Sequence, residues 1–284
     1  MPNDLAGQFP SPDSPVAVDY RSRQHTQGLP KSVLGRLGLS LQGRLESFVA
    51  IKSCLPDVPV YDPGDFYWVP RIQSQWRQIR TELDKVMVYR DRMPSFHEIL
   101  KEAGTITRDD GWKTFFLICA GRDCDENARR CPQTMALLRE IPDVGNAFFS
   151  ILAPGKHIPP HRGAYNGVLR YHLGLLVPEP RERCRIRIAN EFHRWGEGES
   201  LIFDDSFNHE VWNETNGYRV VLFVDFARPL RQPWHWLNLR FLHLILLAPF
   251  LREAGAKQKQ WEKMFYREPT EGERSGESAK GGKV

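Results

Sequence analysis

The chain is short of cysteine, of charge of one sign and of long apolar runs, and each shortage excludes something. Its 284 residues include five cysteines, Cys54, Cys119, Cys124, Cys131 and Cys184. The number is odd and none are spaced as C-x-x-C. That argues against a disulfide framework or a zinc site and points to a reducing compartment. The net charge is only +4 and the isoelectric point about 8.8. This balance is too weak to argue for nucleic acid, though it suits an anionic surface. No charged segment followed by an apolar stretch opens the chain, so no signal peptide is expected. The most apolar segment, 234–251, is interrupted by His235, Asn238, Arg240, His243 and Pro249. Its part without charge or histidine, Leu244 to Leu251, is too short to span a bilayer.

Aromatic residues are plentiful, with Phe 16, Tyr 8 and Trp 8, and the 41% hydrophobic fraction can fill a substantial core. Residues 1–30 are rich in Pro, Ser, Asp, Gln and Gly without an apolar period, and read as disordered. Residues 31–64 read as a short helix followed by a linker with Pro56, Pro59, Pro63 and Gly64. Over 65–88, Trp68, Ile72, Trp76, Ile79, Leu83 and Val86 recur at three and four residues, which predicts one amphipathic helix. Ser95-Phe96-His97-Glu98 has the form of a capping box, and Pro132 suits the first turn of a helix ending near Glu140. These make a helical lead over 65–140.

From residue 146 the pattern turns to β. Short apolar runs at 147–153, 167–177, 184–190, 200–205 and 218–227 alternate with turn signals. Val220-Val221-Leu222-Phe223-Val224 is continuous, as expected of a strand buried on both faces. A β core over 146–227 behind a helical lead predicts a closed or double-sheet jelly roll with helices outside. The segment 231–256 reads either as a helix covering that barrel or as an interfacial helix. Beyond Lys257 the chain is polar, and 257–284 reads as a disordered tail.

The chemistry concentrates in His161, His209 and Arg219. A lone histidine is usually structural. Here His161 follows Pro159-Pro160, which stiffens the approach, and His209 follows Phe203-Asp204-Asp205-Ser206. Imidazole suits Fe(II), and the usual facial triad adds a carboxylate two residues after the first histidine. That place is Gly163. Arg219 and Arg170 both lie in predicted strands with apolar neighbours, where a buried guanidinium needs a partner. An arginine fork pairs well with a carboxylate such as the far end of 2-oxoglutarate.

Longer motifs then carry a resemblance. They are Gly111-Trp112, Ser150-Ile151-Leu152-x-Pro154-Gly155-x-His157, Pro160-His161-x-Gly163 and Leu169-Arg170-x-His172-Leu173-Gly174-Leu175, then Ile202-Phe203-Asp204-Asp205-Ser206-Phe207-x-His209-Glu210-Val211-Trp212. Over about 60 to 230 the chain resembles the aspartyl/asparaginyl β-hydroxylases, a branch of the 2-oxoglutarate oxygenases. The resemblance implies a mostly β fold, a cupin-like double-stranded β-helix with flanking helices, in an oxygenase domain over 65–230. It implies that His161 and His209 hold Fe(II), and that Ser150 and Arg219 hold the distal carboxylate of 2-oxoglutarate. It places Arg170 and His172 at the iron-bound end, with O2 as the second co-substrate. It makes Asp205 the residue that orients an iron-bound water or the His209 ring. His157 is read as structural or pocket-lining.

For the substrate, Gly163 in place of Asp favours the β-carbon of Asp or Asn in a peptide or protein. The apolar 234–251 segment and the basic balance favour a lipid acyl chain, of lipid A or ornithine lipid type. A non-catalytic module that kept the fold is the third reading. No nucleic acid partner is expected. The location implied is cytoplasmic, either soluble or peripheral on the inner membrane face through 234–251.

Overall fold

Alternation along three adjacent strands decides the architecture. In the computed structural model, which describes residues 33–100, 104–246 and 249–266, β11 (Arg219–Ala227) lies between β4 (Val144–Leu152) and β6 (Val168–Leu176). On β11, Val220, Leu222, Val224 and Phe226 pack in one cluster, and Val221 and Phe223 in another on the opposite face. Successive side chains on a strand point to opposite faces, so one run of apolar residues serves both clusters. The same alternation sends Arg170, His172 and Gly174 of β6 inward and Leu169, Tyr171, Leu173 and Leu175 outward.

These strands sit in a seven-stranded sheet ordered β1-β9-β6-β11-β4-β2-β3, with β1 (Val60–Tyr61), β9 (Ser200–Phe203), β2 (Trp112–Cys119) and β3 (Arg122–Asp123). A four-stranded sheet, β5-β10-β7-β8, is formed by β5 (His157–His161), β10 (His209–Asn213), β7 (Cys184–Ile188) and β8 (Glu191–Arg194). The inner cluster joins them: Trp112, Phe148, Leu152, Val221 and Phe223 of the larger sheet pack with Ile158, Ile186, Ile188 and Val211 of the smaller. All named pairings are antiparallel. This is the jelly-roll architecture the strand pattern predicts.

Helices cover the outer face of the larger sheet. The periodic segment forms α2 (Val69–Ser74) and α3 (Trp76–Met87), following α1 (Val33–Lys52). The break falls at Gln75, whose backbone leaves the helical region. It preserves the expected face, because Trp68, Ile72, Ile79, Leu83 and Val86 are all buried in the outer cluster. Glu82 is buried too: its carboxylate accepts from Gln133 N, Thr134 N and Thr134 Oγ1 at 2.8, 2.8 and 2.6 Å. It thereby satisfies the open N–H groups at the start of α6 (Pro132–Leu138), which follows α4 (Phe96–Ile99) and α5 (Asp125–Arg130). In the expected capping box, Glu98 reaches back to accept from Ser95 N at 2.6 Å.

The structure also differs from the sequence reading elsewhere. The expected linker contributes β1 to the larger sheet, ahead of the domain start expected at 65. Where a short helix is expected, α1 runs for twenty residues. Strand β2 precedes residue 146, and β5 holds Pro159 and Pro160. Proline is tolerated there because β5 is an edge strand, with one side free of ladder bonds. At the C-terminal end, α7 (Trp234–Leu246) is followed by α8 (Pro249–Phe265), so helix continues past Lys257. Anchors hold it: Trp261 Nε1 donates to Arg92 O at 3.2 Å, and Phe265 meets the Tyr89 ring edge-on at 5.8 Å. The expectations of disorder for 1–30 and 267–284 lie outside the described residues.

Candidate active site

His161 closes β5 and His209 opens β10, and the two residues face each other in register. Their ring centroids are 4.1 Å apart. His161 Nδ1 bonds Pro159 O at 2.8 Å, and His209 Nδ1 bonds Phe207 O at 2.9 Å. A carbonyl only accepts, so each Nδ1 carries the hydrogen and each Nε2 carries the lone pair. Burial pulls His161 down to about 4 and His209 well below the ordinary histidine range. Both rings are therefore neutral at neutral pH. Two adjacent neutral imidazoles with oriented Nε2 lone pairs are a donor set that fits Fe(II).

Gly163 explains the missing acid. A Cβ there would lie 2.4 Å from both carboxylate oxygens of Asp205, and Gly163 N donates to Asp205 O at 2.7 Å. The Asp205 carboxylate thus occupies the space that a side chain at 163 would need. Its partner is Arg170, whose guanidinium lies 2.8 Å from Asp205 Oδ2 and donates through Nε to Asp225 Oδ1 at 3.0 Å. Arg170 also lies 4.3 Å over the Phe223 ring. Burial pushes the Asp205 carboxyl up to about 6 against the pull of Arg170, and Asp225 and Asp204 add to the rise. The neighbouring Asp204 has a different task. It is fully buried, paired with Arg228, and accepts from Ser206 N and Oγ at 2.9 and 2.5 Å. Arg228 in turn donates to Tyr61 Oη at 2.8 Å, so this network clamps the turn that presents Asp205.

Deeper along β11 the polar groups change character. Arg219 is 2% exposed, and its Nε and Nη1 have no hydrogen-bond partner among the described residues. Its guanidinium lies 4.5 Å over the Trp195 ring. Burial pulls it down to about 10, which leaves it charged at neutral pH. Both ring nitrogens of buried His172, the Trp195 Nε1 and Thr114 Oγ1 are likewise unpartnered among the described residues. Burial, then the charges of Arg219 and Arg170, hold His172 well below its ordinary range. Ser150 lies opposite both Thr114 and Val221, diagonal to Arg219, which is opposite Leu152. Its Oγ accepts from Trp112 Nε1 at 3.0 Å, which leaves its own hydrogen available. Native proteins rarely bury so many unsatisfied polar atoms together, and an unpaired buried guanidinium is especially costly. An external anion would satisfy the donors among them.

The structure thus brings His161 to His209, Asp205 to Arg170, and His172 within the fields of both arginines. Trp195 and Asp225 went unremarked in the sequence. Asp225 had a signal, a single acid in the apolar run Val220–Ala227; Trp195, outside any periodic segment, had none. His157 lies on the outer side, stacked on Trp212 at 5.4 Å and bonded to Glu210 at 2.8 Å, away from the two imidazoles.

The chain resembles known proteins. The pattern of the family described as aspartyl/asparaginyl β-hydroxylase matches residues 73–229. An ornithine lipid ester-linked acyl 2-hydroxylase of Rhizobium tropici is 44% identical over 237 residues, which is 84% of each chain. The aspartyl/asparaginyl β-hydroxylase of Mus musculus is 36% identical over 182 residues, 59% of this chain but only 24% of that protein. A solved prolyl-4-hydroxylase from Pseudomonas putida overlaps 54% of this chain and 87% of its own, at a TM-score of 0.36 and 18% identity. By its motifs, its double-sheet fold and a match over more than half its length, the chain belongs to the aspartyl/asparaginyl β-hydroxylase family.

Proposed function

We propose that this hydroxylase is Fe(II)- and 2-oxoglutarate-dependent and acts on a lipid acyl chain. The observation that carries the co-substrate is Arg219, a buried cation without an anion among the described residues, set on the same sheet face as Arg170 and His172. What supports the lipid substrate is the Rhizobium tropici likeness. It is longer than the family segment, so it takes in flanking sequence as well. This reverses the order of the sequence reading, which put Asp or Asn first. Hydroxylation of Asp or Asn stands as the second reading, favoured by Gly163.

His161 and His209 would hold the iron through Nε2. Fe(II), when bound, supplies O2 activation coupled to decarboxylation: 2-oxoglutarate, O2 and a C–H bond give succinate, CO2 and a hydroxylated carbon. The protein's part is placement. The Arg219 fork takes the distal carboxylate, and the Ser150 hydroxyl donates to it. Arg170, held between Asp205 and Asp225, fixes the charge at the opposite end, and neutral His172 offers a ring N–H. Phe203, Phe223 and Trp195 pack around His172 at ring-centroid distances of 5.2, 5.0 and 6.0 Å, an apolar surround that would limit water there.

The test is a mass-resolved assay with purified protein, Fe(II), 2-oxoglutarate and labelled O2. A total lipid extract and a pool of Asp/Asn peptides are offered separately. Label in a lipid species is the expected result. Label in peptides alone would return the assignment to β-hydroxylation, and no succinate with either would sink the proposal.

A further inference from the structure

Among the described residues, more than half of the exposed large apolar side chains fall on α1 and α7. On α1, Leu41, Phe48 and Ile51 form one stripe, with Leu41 70% and Ile51 68% exposed. On α7, Trp236, Leu237 and Leu244 are exposed, Leu244 to 66%. The end of α1 meets the start of α7. Phe48 meets Trp234 edge-on at 4.9 Å, Lys52 Nζ lies 5.3 Å over that indole, and Arg231 N donates to Lys52 O at 2.9 Å.

Their opposite faces grip a single loop, residues 162–167, which follows His161. From α1, Gln42 donates to Ala164 O at 2.8 Å, Glu46 pairs with Arg162, and Glu46 O accepts from Asn166 at 2.8 Å. From α7, Asn238 accepts from Tyr165 Oη at 2.8 Å and donates to Gly167 O at 2.9 Å. The exposed apolar stripes therefore lie beside the end of the barrel that carries the imidazole pair.

Charge selects the occupant. The described part of α1 carries exposed Arg44 and half-buried Lys52, and its acid, Glu46, is buried and paired. The described part of α7 carries Arg240 and no acid, and the Arg240 guanidinium lies 5.0 Å over the Trp236 ring. Apolar stripes flanked by cations and indole rings suit the boundary between acyl chains and anionic headgroups. Among the described residues no helix is long and apolar enough to cross a membrane.

We infer that α1 and α7 together form a face that lies on an anionic lipid surface and turns the His161 end of the barrel toward it. The inference rests on the acyl-chain reading for its purpose, while its geometry stands on the helices alone. It replaces the expectation of association through 234–251 by itself with a face built from one helix before the barrel and one after it.

The test is vesicle sedimentation of the full chain, with phosphatidylglycerol-rich vesicles against pure phosphatidylcholine. Binding to the anionic vesicles that weakens with salt is expected. The triple variant Leu41→Ser, Trp236→Ser, Leu244→Ser should bind at least tenfold more weakly with an unchanged melting temperature. Phe192→Ser, exposed on the smaller sheet, should bind like the parent. Absence of vesicle binding, or a triple variant that binds like the parent, would overturn the inference. So would a dimer in solution that the triple variant splits, since the face would then belong to a second copy. Vesicle binding without lipid hydroxylation would keep the face and remove the acyl-chain reading. Hydroxylation of detergent-dispersed lipid without vesicle binding would do the reverse.

Discussion

Replacing Arg219 by methionine should separate binding from folding. The fork is buried with donors that no described residue satisfies, so an apolar chain of similar length removes an uncompensated charge. The expected outcome is an unchanged or raised melting temperature and a 2-oxoglutarate KM at least 100-fold higher, read by succinate release. An unchanged KM would move the carboxylate clamp elsewhere. Arg228→Met should behave in the opposite way. It strands buried Asp204 without its cation, and urea unfolding should show a loss of about 3–5 kcal/mol. Much of this was legible in single residues. Arg219 and Arg170 stand out in the sequence because charged groups within apolar strands need a reason, and the two histidines stand out by the motifs beside them, whereas Asp205 follows only from the family resemblance. Apart from that resemblance no local pattern separates Asp204 from Asp205, since their different pairings depend on Arg228 and Arg170 arriving from other segments.

At the scale of elements, the α3–α6 contact makes a clear test. Glu82 accepts three hydrogen bonds at the start of α6 while sitting on the buried face of α3. Glu82→Ala should destabilise the protein by about 2 kcal/mol in chemical denaturation, as lost helix caps do. A change within error would mean that water replaces the carboxylate. The helical period of 65–88 and the strand runs after 146 were visible because both rest on local alternation of apolar residues. Strand β5 was not, because its two prolines are acceptable only at an edge, and edge position is a property of the assembled sheet. Nor was β1, two residues within a proline-rich stretch that become a strand by pairing with β9.

At the scale of the whole molecule, α8 packs back on the helical lead. Removing α8 by truncation after 248 should lower the melting temperature, because Trp261, Phe265 and Glu262 bind back onto Arg92, Tyr89 and Asn127. A truncated protein as stable as the parent would show that α8 is dispensable. Vesicle binding is therefore better tested by surface substitutions on α1 and α7 than by deleting everything from 234 onward.

What the order of residues determined by itself is the class of fold, the helical lead, the main inward-facing strands and the residue types of the site. These follow from periodicity and from polar groups placed in apolar surroundings, both local signals. Tertiary structure alone decided three further things. It put His161 opposite His209 through the pairing of β5 with β10. It filled the place beside Gly163 with a carboxylate from another loop. It also joined α1 to α7, nearly two hundred residues later, around the loop after His161. Each depends on register or on contact between distant segments, and no local pattern of apolar residues encodes either.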